Sequence, residues 1–288
     1  MAFQIDCVVK GNDRLGECPL WDEREGVLWW VDSRGPALKR WDPATGAVRE
    51  LALPGVVGSV AFREKGGMLA ALQSGIHFLD TATGKLELAA QPEAHLPENR
   101  FNDGRCDRAG RFWAGTMSDV RRDPTGSLYR LSADLSCTHM RRDIVVPNSL
   151  AWSPDNRTLY FGDTHRNRIW AFDFDLASGG ISNERVFAET EGRPDGSCVD
   201  ADGGLWNAEY GNWRLMRYTP AGKIDRVIPM PVANPTCCCF GGKDFDTLYV
   251  TTATQRLTPE DLAKQPLAGS VLAVRPGVRG LPEARFGG

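Results

Sequence analysis

The strongest constraint on the fold is one short pattern that occurs six times along the 288 residues. Each copy is a turn containing Gly, Asp or Asn, followed by a run of strongly β-forming residues. The six runs are VLWWVD (27–32), GMLAAL (67–72), RFWAGT (111–116), TLYFGD (158–163), GLWNAE (204–209) and TLYVTT (247–252). Successive runs begin about 40 to 47 residues apart, which is the length of a four-stranded propeller blade.

A second, shorter β segment follows each run, and several of these segments end in a Gly-containing hairpin turn. No stretch shows a sustained helical period; residues 259–265 are compatible with a helical turn or two. The sequence therefore predicts an all-β, six-bladed β-propeller with four-stranded blades, occupying residues 1–288 as one domain. Because the last repeat is short, an N-terminal strand at about residues 3–9 is expected to complete the last blade and remove its exposed edge.

The amino-acid composition argues against some classes of binding partner. Hydrophobic residues make up 42% and charged residues 25% of the chain, as in ordinary soluble globular proteins. With 34 Lys plus Arg against 37 Asp plus Glu, no basic excess favours nucleic acid or an anionic membrane as partner. We find no signal-peptide pattern and no apolar run long enough for a membrane helix. The eight cysteines lack paired CxxC spacing, and we interpret them as small buried residues in a reducing cytosol, which predicts a cytoplasmic protein.

The strand before each repeat carries the functional signal, because the first strand of a propeller blade lines the central channel. These strands can be aligned on the apolar residue that precedes the turn. Four positions upstream of that residue lie, in blade order, Glu17, Gly58, Asn102, Asn148, Asp195 and Thr236. Equivalent positions in six blades form a ring at one height, so the oxygen-bearing side chains of Glu17, Asn102, Asn148 and Asp195 are expected to converge at one mouth of the channel.

Two carboxylates and two carboxamides that face one another are unfavourable to bury without compensation, because like charges repel strongly in a low-dielectric site. A divalent cation resolves the conflict, and these oxygen donors suit a hard ion such as Ca²⁺, Mg²⁺ or Mn²⁺. The alternative is that the polar residues cap strand ends and line a water-filled channel. Spacing alone does not separate these two interpretations.

Five motifs, in order, resemble the gluconolactonase, regucalcin (senescence marker protein) and luciferin-regenerating-enzyme family over essentially the whole chain. They are LGECPLWD with LWWVD, RFNDGRCDRAGRFWAGTM, PNSLAWSPDNRTLYFGDT, RPDGSCVDADGGLW and CFGGKDFDTLYVTTA. The resemblance implies a six-bladed propeller with one divalent metal ion on Glu17, Asn148 and Asp195. It also implies a general acid/base role for Asp195 and contacts from Arg100 and Asn102 to sugar hydroxyls. Ca²⁺ is the favoured ion, with Zn²⁺, Mn²⁺, Mg²⁺ or Fe²⁺ as alternatives.

The function this predicts is metal-assisted hydrolysis of a small sugar-acid lactone, either an aldonolactone or an aldarolactone, to the free acid. Asp195 takes a proton from the attacking water and returns one to the ring oxygen. The sequence leaves open whether Asp195 or a water held by the ion is the operative base or nucleophile. Two other functions also remain open: an esterase or phosphotriesterase-like propeller, and a non-enzymatic calcium-binding or interaction propeller.

Several residues have more than one interpretation. Asp119 matches, in a loose alignment, the acidic position through which relatives reach the substrate after the GTM motif. Arg100 could instead be a structural partner of Asp103. The Arg121 and Arg122 pair either attracts an anionic substrate or is a solvated loop charge. Asp163 and His165 are more typical of turn capping. Candidates for apolar walls beside the sugar, with core packing as the default, are Phe101, Trp152 and Tyr210.

Overall fold

The structure is a computed structural model and describes residues 3–288. Within these residues, 24 strands form six four-stranded antiparallel sheets. The first strand, β1 (Ile5–Val9), belongs to the sheet that contains the last three strands. The six-bladed propeller with an N-terminal closing strand, predicted from the repeats, is therefore confirmed.

The first three blades follow chain order from the innermost to the outermost strand. Blade 1 consists of β2 (Gly16–Asp22), β3 (Val27–Asp32), β4 (Ala37–Trp41) and β5 (Val48–Ala52). Blade 2 consists of β6 (Val57–Phe62), β7 (Met68–Leu72), β8 (Gly75–Leu79) and β9 (Leu86–Ala90). Blade 3 consists of β10 (Asn99–Cys106), β11 (Phe112–Ser118), β12 (Gly126–Leu131) and β13 (Cys137–Ile144).

The other three blades repeat this plan, and β1 replaces the missing outer strand of the last one. Blade 4 consists of β14 (Pro147–Trp152), β15 (Thr158–Asp163), β16 (Arg168–Asp175) and β17 (Gly180–Glu189). Blade 5 consists of β18 (Arg193–Val199), β19 (Leu205–Tyr210), β20 (Arg214–Tyr218) and β21 (Ile224–Pro229). Blade 6 consists of β22 (Pro235–Gly241), β23 (Thr247–Thr252), β24 (Val271–Val274) and β1. The helical elements are a 3₁₀ turn (Thr164–Arg166) and α1 (Pro259–Lys264), which lies in the predicted helical stretch.

The core is divided into six apolar clusters, one in each gap between neighbouring blades. Burial follows from this arrangement: every residue of the inner strands β6, β14 and β22 is buried, whereas β5 is largely exposed. Between blades 6 and 1, Trp21 stacks on Tyr249 with ring centroids 5.5 Å apart. Each blade is therefore stabilised mainly by its two neighbours, and the ring must close for every blade to be covered.

Ring closure depends on pairing between distant parts of the chain. β1 pairs with β24 in antiparallel register, with Ile5 opposite Val274 and Cys7 opposite Leu272. This pairing covers the edge of β24, which an open ring would leave available to other chains.

All six inner strands contain a register irregularity near the same level. In β2 the shift lies between Glu17 and Leu20, and in β14 it lies between Asn148 and Ala151. Cys18 and Ser149 adopt left-handed backbone conformations with φ of 48° and 58°. Bulges of this kind change the direction of side chains at strand ends. In β2 and β14 the irregularity follows directly after the predicted ring position, and in the other four inner strands it includes that position.

A C-terminal segment, residues 280–286, crosses the end of the channel that the inner strands reach last; we call it the C-terminal strap. Gly280 forms a β-bridge with Asp200 of blade 5, and Phe286 forms one with Arg63 of blade 2, on the opposite side of the ring. Glu283 lies 3.5 Å from Arg105 in an ion pair. Phe286 is fully buried between blades 2 and 3.

The cysteines are free, and six of the eight are buried. Cys7 is exposed and Cys137 is half-buried, so the interpretation as buried residues does not hold for these two. Among residues 3–288, we find no helix with the length and apolar character required to cross a membrane.

Candidate active site

A cavity opens at the channel mouth opposite the C-terminal strap; its empty space, including the opening to solvent, is about 570 Å³. Glu17, Asn102, Asn148 and Asp195 all line it, as do Arg100 and Tyr210. These residues come from the starts of β2, β10, β14 and β18 and from the end of β19. The structure thus brings together side chains that are about 180 residues apart in the sequence.

The two other ring positions do not reach the cavity. An added Cβ at Gly58 would lie 2.4 Å from the backbone oxygens of Phe101 and Asn102, so close strand packing accounts for the glycine. Thr236 is buried, and its hydroxyl is hydrogen-bonded to Gly16 and Thr251. The polar ring therefore occupies blades 1, 3, 4 and 5.

Glu17 and Asp195 place two carboxyl groups in this cavity, and neither forms an ion pair with a cationic side chain of residues 3–288. Asp195 is buried and Glu17 is half-buried. Burial, followed by the charge of Asp103, raises the pKa of Glu17 to about 8. Burial and the charges of Glu17 and Asp103 raise the pKa of Asp195 well above its ordinary value. The charge of Arg100 lowers both pKa values but does not outweigh burial. Within residues 3–288, no Lys or Arg side chain forms an ion pair with either carboxylate, so an added cation would stabilise both in the ionised form.

Directed hydrogen bonds fix the orientation of the two ring amides. Arg100 donates from Nη1 to Oδ1 of Asn102 (2.7 Å), and Asn102 donates from Nδ2 to Oδ1 of Asn148 (3.2 Å). Asn148 donates from Nδ2 to Oγ1 of Thr164 (2.7 Å), and Thr164 donates to the carbonyl oxygen of Pro194 (2.7 Å). Because a guanidinium only donates, the direction of every bond in the series is determined. We call this series the amide relay.

Asp119 is bound to two cavity-lining arginines and does not itself line the cavity. It accepts hydrogen bonds from Nε of Arg100 at 2.7 Å and from Nη1 of Arg34 at 2.8 Å. Burial raises its pKa, but the hydrogen bonds from Arg34 and Arg100 outweigh burial and lower the pKa of Asp119 to about 2. Asp119 therefore holds both guanidinium groups in place, and its contact with substrate stays a prediction.

The structure decides two of the alternative interpretations. Arg100 pairs with Asp119 and not with Asp103; Asp103 instead accepts a hydrogen bond from the backbone N of Leu150 at 2.9 Å. The capping role of Asp163 is confirmed, because its carboxylate accepts from the backbone N atoms of Val145, Val146 and His165.

Of the three aromatic residues considered for the cavity wall, Tyr210 lines the cavity. Trp152 lines a second cavity, beside the C-terminal strap, and Phe101 packs in the cluster between blades 2 and 3.

Sequence reasoning missed several residues at the mouth. Besides the predicted residues, the cavity is lined by Leu15, Arg34, Met117, Arg122, Val146, Thr164, His165, Arg193, Gln255 and Arg256. Most of these lie in turns or at strand ends, outside the aligned ring position. Two of them were named in the sequence analysis. His165, interpreted there as a turn-capping residue, lines the cavity. Of the Arg121 and Arg122 pair, Arg122 lines the cavity and Arg121 pairs with Glu98 at 2.7 Å.

The donor set is compatible with a hard divalent ion. Among residues 3–288, no three or more His, Cys, Asp or Glu side chains are grouped to hold a metal, so an ion here would depend on amide oxygen as well as carboxylate. Oδ1 of Asn148 has two lone pairs and, among the described residues, accepts one hydrogen bond, from Nδ2 of Asn102, so a second lone pair remains for an ion. The bond from its amide nitrogen to Thr164 fixes the orientation of that oxygen. Two carboxylates and one amide oxygen suit Ca²⁺ and leave coordination positions for other ligands.

Fold and site together define a β-propeller with a small-molecule site at one mouth of its channel. The SMP-30/Gluconolactonase/LRE-like region family model matches residues 15–254, and the chain belongs to this family.

Similar proteins span the full chain. A 6-deoxy-6-sulfogluconolactonase from Pseudomonas putida is 41% identical, covering 100% of both chains. Regucalcin from Gallus gallus is 39% identical, covering 100% of this chain and 99% of its own. The solved structure of a calcium-binding protein, regucalcin, from Agrobacterium tumefaciens superposes with a TM-score of 0.94 at 32% identity, covering 99% of this chain and 98% of that one.

Proposed function

We propose that this protein is a divalent-metal-dependent hydrolase that opens a sugar-acid lactone to the free acid. The observation that carries the proposal is the pair of carboxylates, Glu17 and Asp195, which share a cavity with oriented amides and have no cationic side-chain partner in the described chain. A relative that is 41% identical over its full length and is named a lactonase supports the same reaction.

Glu17, Asn148 and Asp195 are the residues proposed to hold the ion. A divalent ion at this site supplies a Lewis acid toward the lactone carbonyl. Ca²⁺ is favoured because the donors are all oxygen atoms and because a structural relative is described as a calcium-binding protein.

Asp195 is proposed as the general base and acid. Its carboxylate accepts a proton from the water whose oxygen bonds to the carbonyl carbon. As the bond between that carbon and the ring oxygen breaks, Asp195 returns the proton to the ring oxygen, which becomes a hydroxyl group. The net change is the addition of one water to the ester.

Arg100 and Asn102 are proposed to orient the substrate hydroxyls. Arg100 is almost fully buried, at 4% exposure, and is held by Asp119 and by Oδ1 of Asn102. A guanidinium fixed in this way binds with little loss of side-chain freedom. Asp119 is proposed to contribute to substrate binding by holding the guanidinium groups of Arg100 and Arg34 in position.

The test is hydrolysis of a panel of aldono- and aldarolactones by protein that has been stripped of metal and reloaded with Ca²⁺, Mn²⁺, Zn²⁺, Mg²⁺ or Fe²⁺. We expect ion-dependent turnover, and we expect Asp195→Asn to lower kcat by about 10² to 10⁴ while the circular dichroism spectrum stays unchanged. Asp202→Asn, in an exposed turn of blade 5, is the matched control.

A calcium-binding role without catalysis would use the same carboxylates, and the name of the structural relative makes it the second candidate. Tight Ca²⁺ binding with no turnover of any lactone would favour that role. Wild-type turnover by Asp195→Asn, or full activity after exhaustive chelation, would refute the proposed chemistry. Aryl esters and an organophosphate belong in the panel, because preferential turnover of either would point to an esterase-like propeller.

A further inference from the structure

Three arginines at the cavity mouth form no ion pair with any acidic side chain of residues 3–288. Arg122 lies between β11 and β12 of blade 3, Arg193 is the first residue of β18 in blade 5, and Arg256 follows β23 in blade 6. All three are exposed. Within residues 3–288, none of their guanidinium groups forms an ion pair or a side-chain hydrogen bond, whereas Arg34 and Arg100 share Asp119.

These positive charges come from different blades and still lie close enough to affect one another. Partial burial and the charge of Arg256 lower the pKa of Arg122; the charge of Asp119 offsets part of this, and Arg34 and Arg193 lower the pKa further. Burial and the charges of Arg122 and Arg193 likewise lower the pKa of His165, which lines the same cavity. Mutual repulsion of this kind is unfavourable unless a ligand supplies the opposite charge.

The backbone of the loop that carries Arg256 is held in a defined conformation. Arg256 adopts a left-handed conformation with φ of 65°, which residues other than Gly, Asn and Asp rarely adopt. The preceding residue, Gln255, accepts hydrogen bonds at its carbonyl oxygen from the Tyr210 hydroxyl (2.9 Å) and from Nδ2 of Asn234 (3.0 Å). The loop that carries Arg256 is therefore anchored beside the cavity.

The carboxylates deeper in the cavity do not neutralise this cluster. Glu17 and Asp195 form no ion pair with any of the three arginines in the described chain, and in the proposed function a divalent ion balances both carboxylates. The mouth then stays positively charged when the site is ready for substrate.

We propose that the substrate carries an anionic group remote from its lactone ester, and that Arg122, Arg193 and Arg256 bind this group. The inference rests on the proposed lactonase function and adds the substrate class: a sugar-acid lactone with a carboxylate, sulfonate or phosphate at the far end of the sugar. Guanidinium groups suit all three oxyanions, because they donate paired hydrogen bonds to two oxygens at once.

The experiment compares kcat/KM for neutral glucono-lactone with its analogues that carry a carboxylate, a sulfonate or a phosphate at carbon 6, using Ca²⁺-loaded protein. We expect at least one anionic lactone to be preferred by about tenfold or more, equivalent to about 1.4 kcal/mol. The preference should weaken as salt rises, because exposed charges are screened. Comparison of the three anionic analogues shows whether the site prefers a carboxylate, a sulfonate or a phosphate.

For a tenfold preference, Arg122→Gln, Arg193→Gln and Arg256→Gln should each lower the ratio of anionic to neutral kcat/KM about two- to threefold, and the three substitutions together should abolish the preference. Arg121→Gln is the matched control, because the neighbouring Arg121 is paired with Glu98 and Asp123 and does not line the cavity. General damage to the protein would lower both rates and leave the ratio unchanged. Equal use of neutral and anionic lactones, or a preference that survives all three substitutions, would overturn the inference.

Binding of the open-chain acids separates this inference from the proposed function. Calorimetry should show that glucarate, with two carboxylates, binds more tightly than gluconate, and that the difference disappears in the arginine variants. If this difference is found but no lactone is hydrolysed, the anion site stands and the lactonase proposal fails. If lactones are hydrolysed without regard to remote charge and the two acids bind equally, only the anion site fails.

Discussion

At the scale of single residues, Glu17 and Asp195 are unusual because carboxylates withdrawn from water normally have a cationic partner or several hydrogen bonds. Glu17 accepts one hydrogen bond, from the backbone N of Cys18 at 3.2 Å. Its pKa is raised to about 8, so the metal-free protein holds a proton there at neutral pH. Metal binding must release such protons, which couples ion affinity to pH.

We predict that the metal-free protein becomes less stable as pH rises from about 5 to about 8. The raised pKa of Glu17 means that the folded state binds this proton more tightly than the unfolded chain, whose ordinary value is 4.5. Stability from this group is therefore complete below the unfolded pKa and is lost as pH rises through the folded pKa. The measurement is the free energy of unfolding in urea, followed by tryptophan fluorescence across this pH range.

Glu17→Gln should flatten this pH dependence, and saturating Ca²⁺ should raise the stability of the wild-type protein most at pH 8. Glu87→Gln, on the outer strand β9 and exposed, is the control and should keep the wild-type slope. A slope that is identical in wild type and Glu17→Gln would contradict the assignment.

At the scale of elements, the amide relay connects the neighbouring blades 3, 4 and 5 around the mouth of the channel. It begins at Arg100 in β10, passes through Asn148 in β14 and ends at Pro194 in β18. A further bond joins blades 4 and 5, since the Ser149 hydroxyl donates to the backbone oxygen of Asp195 at 2.6 Å. The proposed ligands thus sit on strands whose relative positions are fixed by hydrogen bonds as well as by packing.

We predict that Thr164→Val weakens Ca²⁺ binding about 10- to 100-fold, the usual effect of removing a partner that orients a metal ligand. Valine has the shape of threonine but cannot accept the hydrogen bond from Nδ2 of Asn148, so the amide loses its fixed orientation. Calorimetric titration of Ca²⁺ measures the change. Thr164→Ser keeps the hydroxyl and should restore most of the affinity; an unchanged Kd in Thr164→Val would show that the relay does not position Asn148.

At the level of strands and turns, part of the structure could be predicted from the sequence and part could not. Strands, blades and the four polar ring residues follow from a repeat of about 40 to 47 residues, because pseudo-symmetry places equivalent positions at equivalent heights. Thr164, Arg193 and Arg256 were not predicted, because the direction of a turn residue depends on local backbone conformation, such as the left-handed φ of Arg256. The partner of Arg100 was likewise beyond reach, since the choice of Asp119 over Asp103 depends on side-chain geometry that spacing does not encode.

At the scale of the whole molecule, the propeller is stabilised as a closed ring. Six apolar clusters lie between successive blades, so loss of any one contact surface exposes two blades. The two ends of the chain meet within blade 6, where β1 pairs with β24, and the stack of Trp21 on Tyr249 joins blade 1 to blade 6.

We predict that deletion of residues 1–9 lowers the midpoint of thermal unfolding and promotes association. The deletion removes β1 and leaves the edge of β24 unpaired, which offers backbone donors and acceptors to other chains. Calorimetry and light scattering after size exclusion measure the two effects. Asp6→Ser, which changes an exposed side chain but keeps the strand, should behave as wild type; an equally stable, non-associating deletion variant would mean that blade 6 does not need its fourth strand.

The C-terminal strap affects how a small molecule can enter and leave the cavity. Since residues 280–286 run from blade 5 to blade 2 across the far end of the channel, a molecule that enters beside Glu17 must leave by the way it came. In the proposed reaction a neutral ester becomes an acid, so the departing molecule would have one more negative charge than the arriving one. It then passes the same arginines on the way out, and accumulated acid should compete with fresh lactone for the single entrance.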